Sequence, residues 1–167
     1  MKGLRGMLSV LGVVASASLA STAMAQDRTV YVETNEGPRL EIGGTVGFPT
    51  GLSGKGWIDP VNALQAAVAW QPGANALYGS LDYLFHTPSM LTEANVRLPF
   101  YAGVGARVLN YDTGGSVVGP RVPLGVTAIF SEFPLSVFAE VAPAMEFGNG
   151  GDPGLTADAT AGARLYF

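Results

Sequence analysis

The chain has 167 residues, with 9 Lys and Arg against 13 Asp and Glu, a single histidine and no cysteine. The acidic balance lacks the basic footprint that nucleic acid requires, and the lack of cysteine excludes both a disulfide framework and thiolate metal sites. With 23 Gly and 11 Pro punctuating short apolar alternations, the composition favours a single all-β domain over a helical one.

At the N-terminus, Lys2 and Arg5 precede an apolar run from Met7 to Val14 and a small-residue stretch ending Ala23-Met24-Ala25. This is the three-part pattern of a secretory signal peptide, so residues 1–25 are expected to be cleaved after Ala25, leaving Gln26 first. The apolar run is short for a membrane anchor. Loss of Lys2 and Arg5 leaves 7 basic and 13 acidic residues, a net charge of −6. Residues 26–38 are more polar and read as an N-terminal periplasmic segment, in which Thr29–Glu33 is either an extra strand or part of an arm.

Beyond residue 25 no stretch reaches the roughly 18 consecutive apolar residues of a helical span, so any membrane crossing must use strands. Period-two alternation predicts strands at about 39–48, 51–58, 61–70, 77–86, 99–110, 120–131, 135–146 and 156–167. Eight is the smallest even number for a single-chain membrane barrel. The expected fold is therefore a single antiparallel eight-stranded transmembrane β-barrel over residues 39–167, preceded by the cleaved signal peptide.

Each strand separates an apolar row from a polar one. Leu40, Ile42, Val46 and Phe48 oppose Glu41, Gly43, Thr45 and Gly47, and Leu77, Leu81, Tyr83 and Phe85 oppose Tyr78, Ser80, Asp82 and His86. Phe100, Ala102, Val104, Ala106 and Val108 oppose Tyr101, Gly103, Gly105 and Arg107, and Leu135, Val137, Ala139, Val141 and Met145 oppose Ser136, Phe138, Glu140 and Glu146. A soluble sandwich also alternates. Here the apolar rows are nearly free of charge and the polar rows are rich in glycine, which favours lipid outside and a narrow polar lumen.

Turning the polar rows inward places Lys55, Arg107, Arg121 and Arg164 in the lumen with Glu41, Asp82, Glu140 and Asp158. An eight-stranded barrel is just wide enough to be filled by its own side chains, so these charges are expected to pair as a plug rather than line a channel. Gly43, Gly47, Gly103, Gly105, Gly125 and Gly162 on the same rows are expected to make room for the arginines.

Turns are expected at Pro49–Gly51, Asp59-Pro60, Gln71–Asn75, Asp112–Gly115 and Gly148–Gly154, and the longest connection, 87–98, is a candidate for a short helical turn. The last strand alternates Ala157, Ala159, Ala161, Ala163 and Leu165 with polar residues and ends on Phe167. A terminal strand closing on Phe resembles the sorting signal that the assembly machinery of the bacterial outer membrane reads.

Six runs carry a wider likeness, among them Gly47-Phe48-Pro49-Thr50-Gly51-Leu52, Leu81-Asp82-Tyr83-Leu84-Phe85-His86, Arg121-Val122-Pro123-Leu124-Gly125 and Gly162-Ala163-Arg164-Leu165-Tyr166-Phe167. Together they resemble a family of small bacterial outer-membrane β-barrel proteins of uncharacterised activity, with Gly56 after Lys55 where an aromatic is usual. The resemblance implies an outer-membrane location, with membrane lipid and the barrel assembly machinery as partners, a monomer, no cofactor and no catalytic residues.

Catalytic look-alikes fail on their own chemistry. Asp112-Thr113-Gly114 occurs once, where an aspartic protease needs two carboxylates sharing a proton. Gly54-Lys55 is followed by Gly56 rather than the Ser or Thr of a phosphate loop. A lipid-modifying enzyme is the first alternative function, since His86, Ser89 and either Glu93 or Asp82 can be drawn as a triad, although Pro88 intervenes and a lone histidine at a strand end is expected on the rim. A soluble periplasmic lipocalin-like binder is the other, and it would turn its apolar row inward around a ligand.

Overall fold

The period-two segments form strands throughout the computed structural model, which describes residues 40–71, 75–88, 92–93, 95–148 and 152–167. The expected signal peptide and the segment 26–38 lie outside the described residues, as does Ser89. In chain order the strands are β1 Leu40–Phe48, β2 Thr50–Trp57, β3 Asn62–Gln71, β4 Ala76–His86, β5 Thr92–Glu93 and β6 Val96–Arg97. They continue as β7 Phe100–Tyr111, β8 Ser116–Arg121, β9 Leu124–Phe130, β10 Leu135–Gly148 and β11 Gly154–Tyr166. No helix occurs among the described residues.

Every pairing is antiparallel, and the sheet closes on itself because β11 pairs with β1 on one side and β10 on the other. Eight strand positions make the ring. One of them is shared by β8 and β9, which continue each other in a single register: β7 faces Arg121 with Gly105 and Leu124 with Ala102, and β10 faces the same two residues with Ala144 and Val141. The ladder lapses between them at Val122-Pro123, where proline has no N–H to donate. Neighbouring backbone covers the gap: the Val122 N–H donates to the Pro143 carbonyl at 2.9 Å and the Gly103 N–H to the Pro123 carbonyl at 2.8 Å.

Seven of the eight expected strands coincide with one observed strand each, to within two residues at either end. The expected 120–131 begins instead at Ser116, with Gly119 and Pro120 carried inside β8. The connection after β4 holds no helical turn among its described residues. Its β5–β6 hairpin adds to the sheet beside β9, with Val96 opposite Phe130 and Arg97 opposite Ile129.

Local chemistry sets the tight connections. Between β2 and β3, Asp59 Oδ1 accepts the N–H groups of Val61 and Asn62 at 2.8 Å and Oδ2 accepts Asn62 Nδ2 at 2.7 Å. These bonds, that from the Asn62 side chain foremost, hold the Asp59 carboxyl below the usual carboxylate range. Between β7 and β8, Gly114 and Gly115 sit at φ +89° and +103°, a region glycine enters without steric cost, so Asp112-Thr113-Gly114 is the tip of a hairpin.

Burial along the strands is inverted relative to a water-soluble protein. The apolar row points out: Val46 is 63% exposed, Leu81 59% and Val104 60%. The polar row points in, with Glu41 and Arg164 at 0% and 1%. Small apolar clusters inside the ring, Ala69-Ala76-Tyr78-Leu109 and Ala63-Leu84-Tyr101, supplement the charges and do not replace them.

Candidate functional site

The eight charged side chains singled out in the sequence, Glu41, Lys55, Asp82, Arg107, Arg121, Glu140, Asp158 and Arg164, are all buried inside the ring. Strand parity puts them there, and register then decides which of them meet. Glu41 and Lys55 are cross-strand neighbours on β1 and β2, and the ammonium lies 3.2 Å from the carboxylate. Two neutral donors complete that carboxylate: Trp57 Nε1 at 2.7 Å and the Ser136 hydroxyl at 2.6 Å. Lys55 Nζ also stands 4.6 Å from the Trp57 ring centroid, within cation–π range.

Further along the interior, Arg121 is the hub. Its guanidinium pairs with Glu140, lies 3.3 Å from both Asp82 and Asp158, and donates to the Tyr78 hydroxyl. Tyr78 passes the network on by donating to Asp158 at 2.8 Å, and Arg107 pairs with Asp158 and with Glu146. Glu140 also accepts Gln65 Nε2 at 2.8 Å and the Tyr101 hydroxyl at 2.9 Å. Gln65 on β3 and Glu140 on β10 stand on opposite sides of the ring, as do Tyr78 on β4 and Asp158 on β11. The network therefore crosses the interior rather than lining its wall.

Two expectations about the interior change. The four-to-four pairing does not form, because Arg164 has no carboxylate partner among the described residues and Glu146 joins as a fifth acid. Arg164 donates instead to Ser53 and Gln65 and stacks over the Phe138 ring at 3.7 Å. The space at the inward glycines is not taken by arginines: Asp82 and backbone close over Gly105, Leu84, Pro123 and backbone over Gly103, and aromatic rings stand over Gly125 and Gly162. A Cβ at Gly162 would fall 2.6 Å from the Phe138 ring, and one at Gly125 would strike Tyr101.

His86 is not on the rim. It is 6% exposed, its ring 4.3 Å from that of Trp57 and 5.2 Å from that of Tyr101. Asp82, one of its two drawn acid partners, is engaged with Arg121 instead. The neutral members of the network, Ser53, Gln65, Tyr78, Tyr101 and Ser136, escape a search for charge alone. Their signal is parity: Gln65 faces Lys55 on one side and Asp82 on the other, so it shares their row.

Chemically, the arrangement fixes register and fills space. A buried charge is costly unless paired and hydrogen-bonded, and an interior of interlocked pairs penalises any slip that would separate them. No group of His, Cys, Asp and Glu suited to a metal ion occurs among the described residues. No protein-family model matches the chain, and neither a characterised protein nor a solved structure does.

Proposed function

We propose that the ring is a transmembrane β-barrel of the bacterial outer membrane, and that the protein is a small structural component of the envelope whose lumen is closed by charged side chains. The observation that carries this reading is the inverted burial, with Val46, Leu81 and Val104 outside and Glu41, Arg121 and Arg164 inside. An apolar belt around a closed ring suits lipid, where every backbone group must be paired within the protein. The signal-peptide pattern and the terminal Phe167 support the same location. A ligand-binding barrel would need its apolar row inside, where this chain keeps its charges. The reading assigns no catalysis and no cofactor.

Cell fractionation tests it. The protein is expected in the outer-membrane fraction after carbonate and urea washing, and release as a soluble species would overturn the reading. Phe167→Asp is expected to lower the yield of folded, heat-modifiable barrel while export across the inner membrane continues. Phe167 is 75% exposed and its N–H donates to the Leu40 carbonyl at 2.9 Å, so a side-chain change there leaves that closing bond available. Normal assembly of the variant would remove Phe167 from the signal.

In planar bilayers the purified protein is expected to give no steady conductance, because the interior hydrogen bonds span the bore. Regular single-channel steps whose selectivity changes on replacing Arg107 or Arg121 would make these residues a selectivity lining instead.

A further inference from the structure

The ring is closed, but its rim is not level. β1 faces β11 only as far as Phe48 opposite Ala159 and then turns back into β2, whereas the β10–β11 ladder continues to Glu146 opposite Gly154. Gly154–Asp158 therefore extends beyond the β1–β2 turn with no strand on that side among the described residues. Alternate residues of an antiparallel strand bond to alternate neighbours. The Phe167 N–H donates to Leu40 of β1 and the Tyr166 N–H to Pro134 beside β10, so odd-numbered residues turn toward β1. The N–H and C=O groups of Leu155 and Ala157 accordingly point out of the free edge. Bulges, prolines and lysines are the usual means of blunting such an edge. Here the register with β10 runs unbroken to Gly154, no proline or lysine lies between Gly154 and Asp158, and Leu155 is 85% exposed. The same end of the ring is acidic. Its four hairpin ends, residues 44–52, 68–78, 108–119 and 143–157, contain Asp112, Glu146 and Asp152 and no Lys or Arg. Asp112 and Asp152 are exposed, and Glu146 is partly so.

We propose that this edge of β11 docks an extended, basic segment of a partner protein, which adds a strand beside Leu155 and Ala157. Main-chain bonds to the edge give such docking its affinity, and alternate side chains give it specificity. The segment sets apolar residues beside the outward Leu155 and Ala157, and its basic residues answer the acidic rim. The chain's own N-terminal segment enters at Leu40, the opposite end of β1. A second copy does not suit, because pairing two β11 edges antiparallel would bring two acidic rims together.

The test is a short labelled peptide of alternating lysine and valine, titrated into the folded protein in zwitterionic detergent, with exchange of the Leu155 and Ala157 amides read by NMR. Saturable binding that slows exchange at both amides is expected. N-methylating the peptide backbone along its bonding edge should abolish it, and a glutamate–valine peptide should bind at least about tenfold more weakly. Ala157→Pro removes an edge N–H and no bond to β10, and should weaken binding about tenfold. Replacing Asp112 and Asp152 with Asn should also weaken it, whereas Glu132→Gln, at the other end of the ring, should not. If Ala157→Pro does not fold, the N-methylated peptide carries the test. Absence of saturable binding, equal binding of the glutamate peptide, or binding that N-methylation leaves intact would overturn the proposal. Slow exchange at Leu155 and Ala157 in the protein alone, strengthening with its concentration, would give the edge to a second copy instead.

Discussion

Arg121→Ala is expected to lower the unfolding free energy by about 3–5 kcal/mol, the usual cost of removing one partner from a buried ion pair. The effect falls at the upper end because Arg121 serves Asp82, Glu140 and Asp158 together, and its loss leaves Asp158 with Arg107 and Tyr78, Glu140 with the neutral donors Gln65 and Tyr101, and Asp82 with no partner among the described residues. Removing Glu140 as well should cost less than the sum of the two single changes, with a coupling of about 0.5–3 kcal/mol for residues in one network. Urea unfolding of the protein folded into lipid vesicles measures all three variants. Additive losses would mean that the charges stabilise the ring separately and that no network exists.

Leu81→Arg is the second large effect, and its sign depends on what surrounds the ring. Leu81 lies at the middle of β4 and is 59% exposed, so in a water-soluble protein an arginine there should shift stability by no more than about 0.5 kcal/mol. At the midplane of a bilayer the same change should cost about 2–4 kcal/mol. A neutral Leu81→Arg in vesicles would place that face in water.

The strands and their facing were legible in the sequence because both follow from a period of two. Where Leu81-Asp82-Tyr83 alternates, parity alone separates exposed from buried, and β4 lies within one residue of its expected bounds. The start of β8 at Ser116 was less legible, because pairing with β7 and β10, and not the local sequence, carries the strand through Gly119 and Pro120. The partners of the charges were less legible than their burial. That Arg164 donates to Ser53 and Gln65 and pairs with no carboxylate among the described residues depends on stagger across the whole ring, and the rings of Tyr101 and Phe138, not the arginines, use the space at Gly125 and Gly162. His86 shares the inward row with Asp82 and Leu84, and the same parity that buried them marks it as interior.

The central claim is that the apolar row faces lipid, and a chain with no cysteine allows a direct measurement. Single cysteines placed in turn from Tyr78 to Phe85, each carrying a small fluorophore, can be folded into vesicles containing brominated lipid. The account predicts strong quenching at positions 79, 81, 83 and 85 and little at 78, 80, 82 and 84, a period of two along β4. Quenching that is absent along the strand, or strongest at 80 and 82, would contradict it.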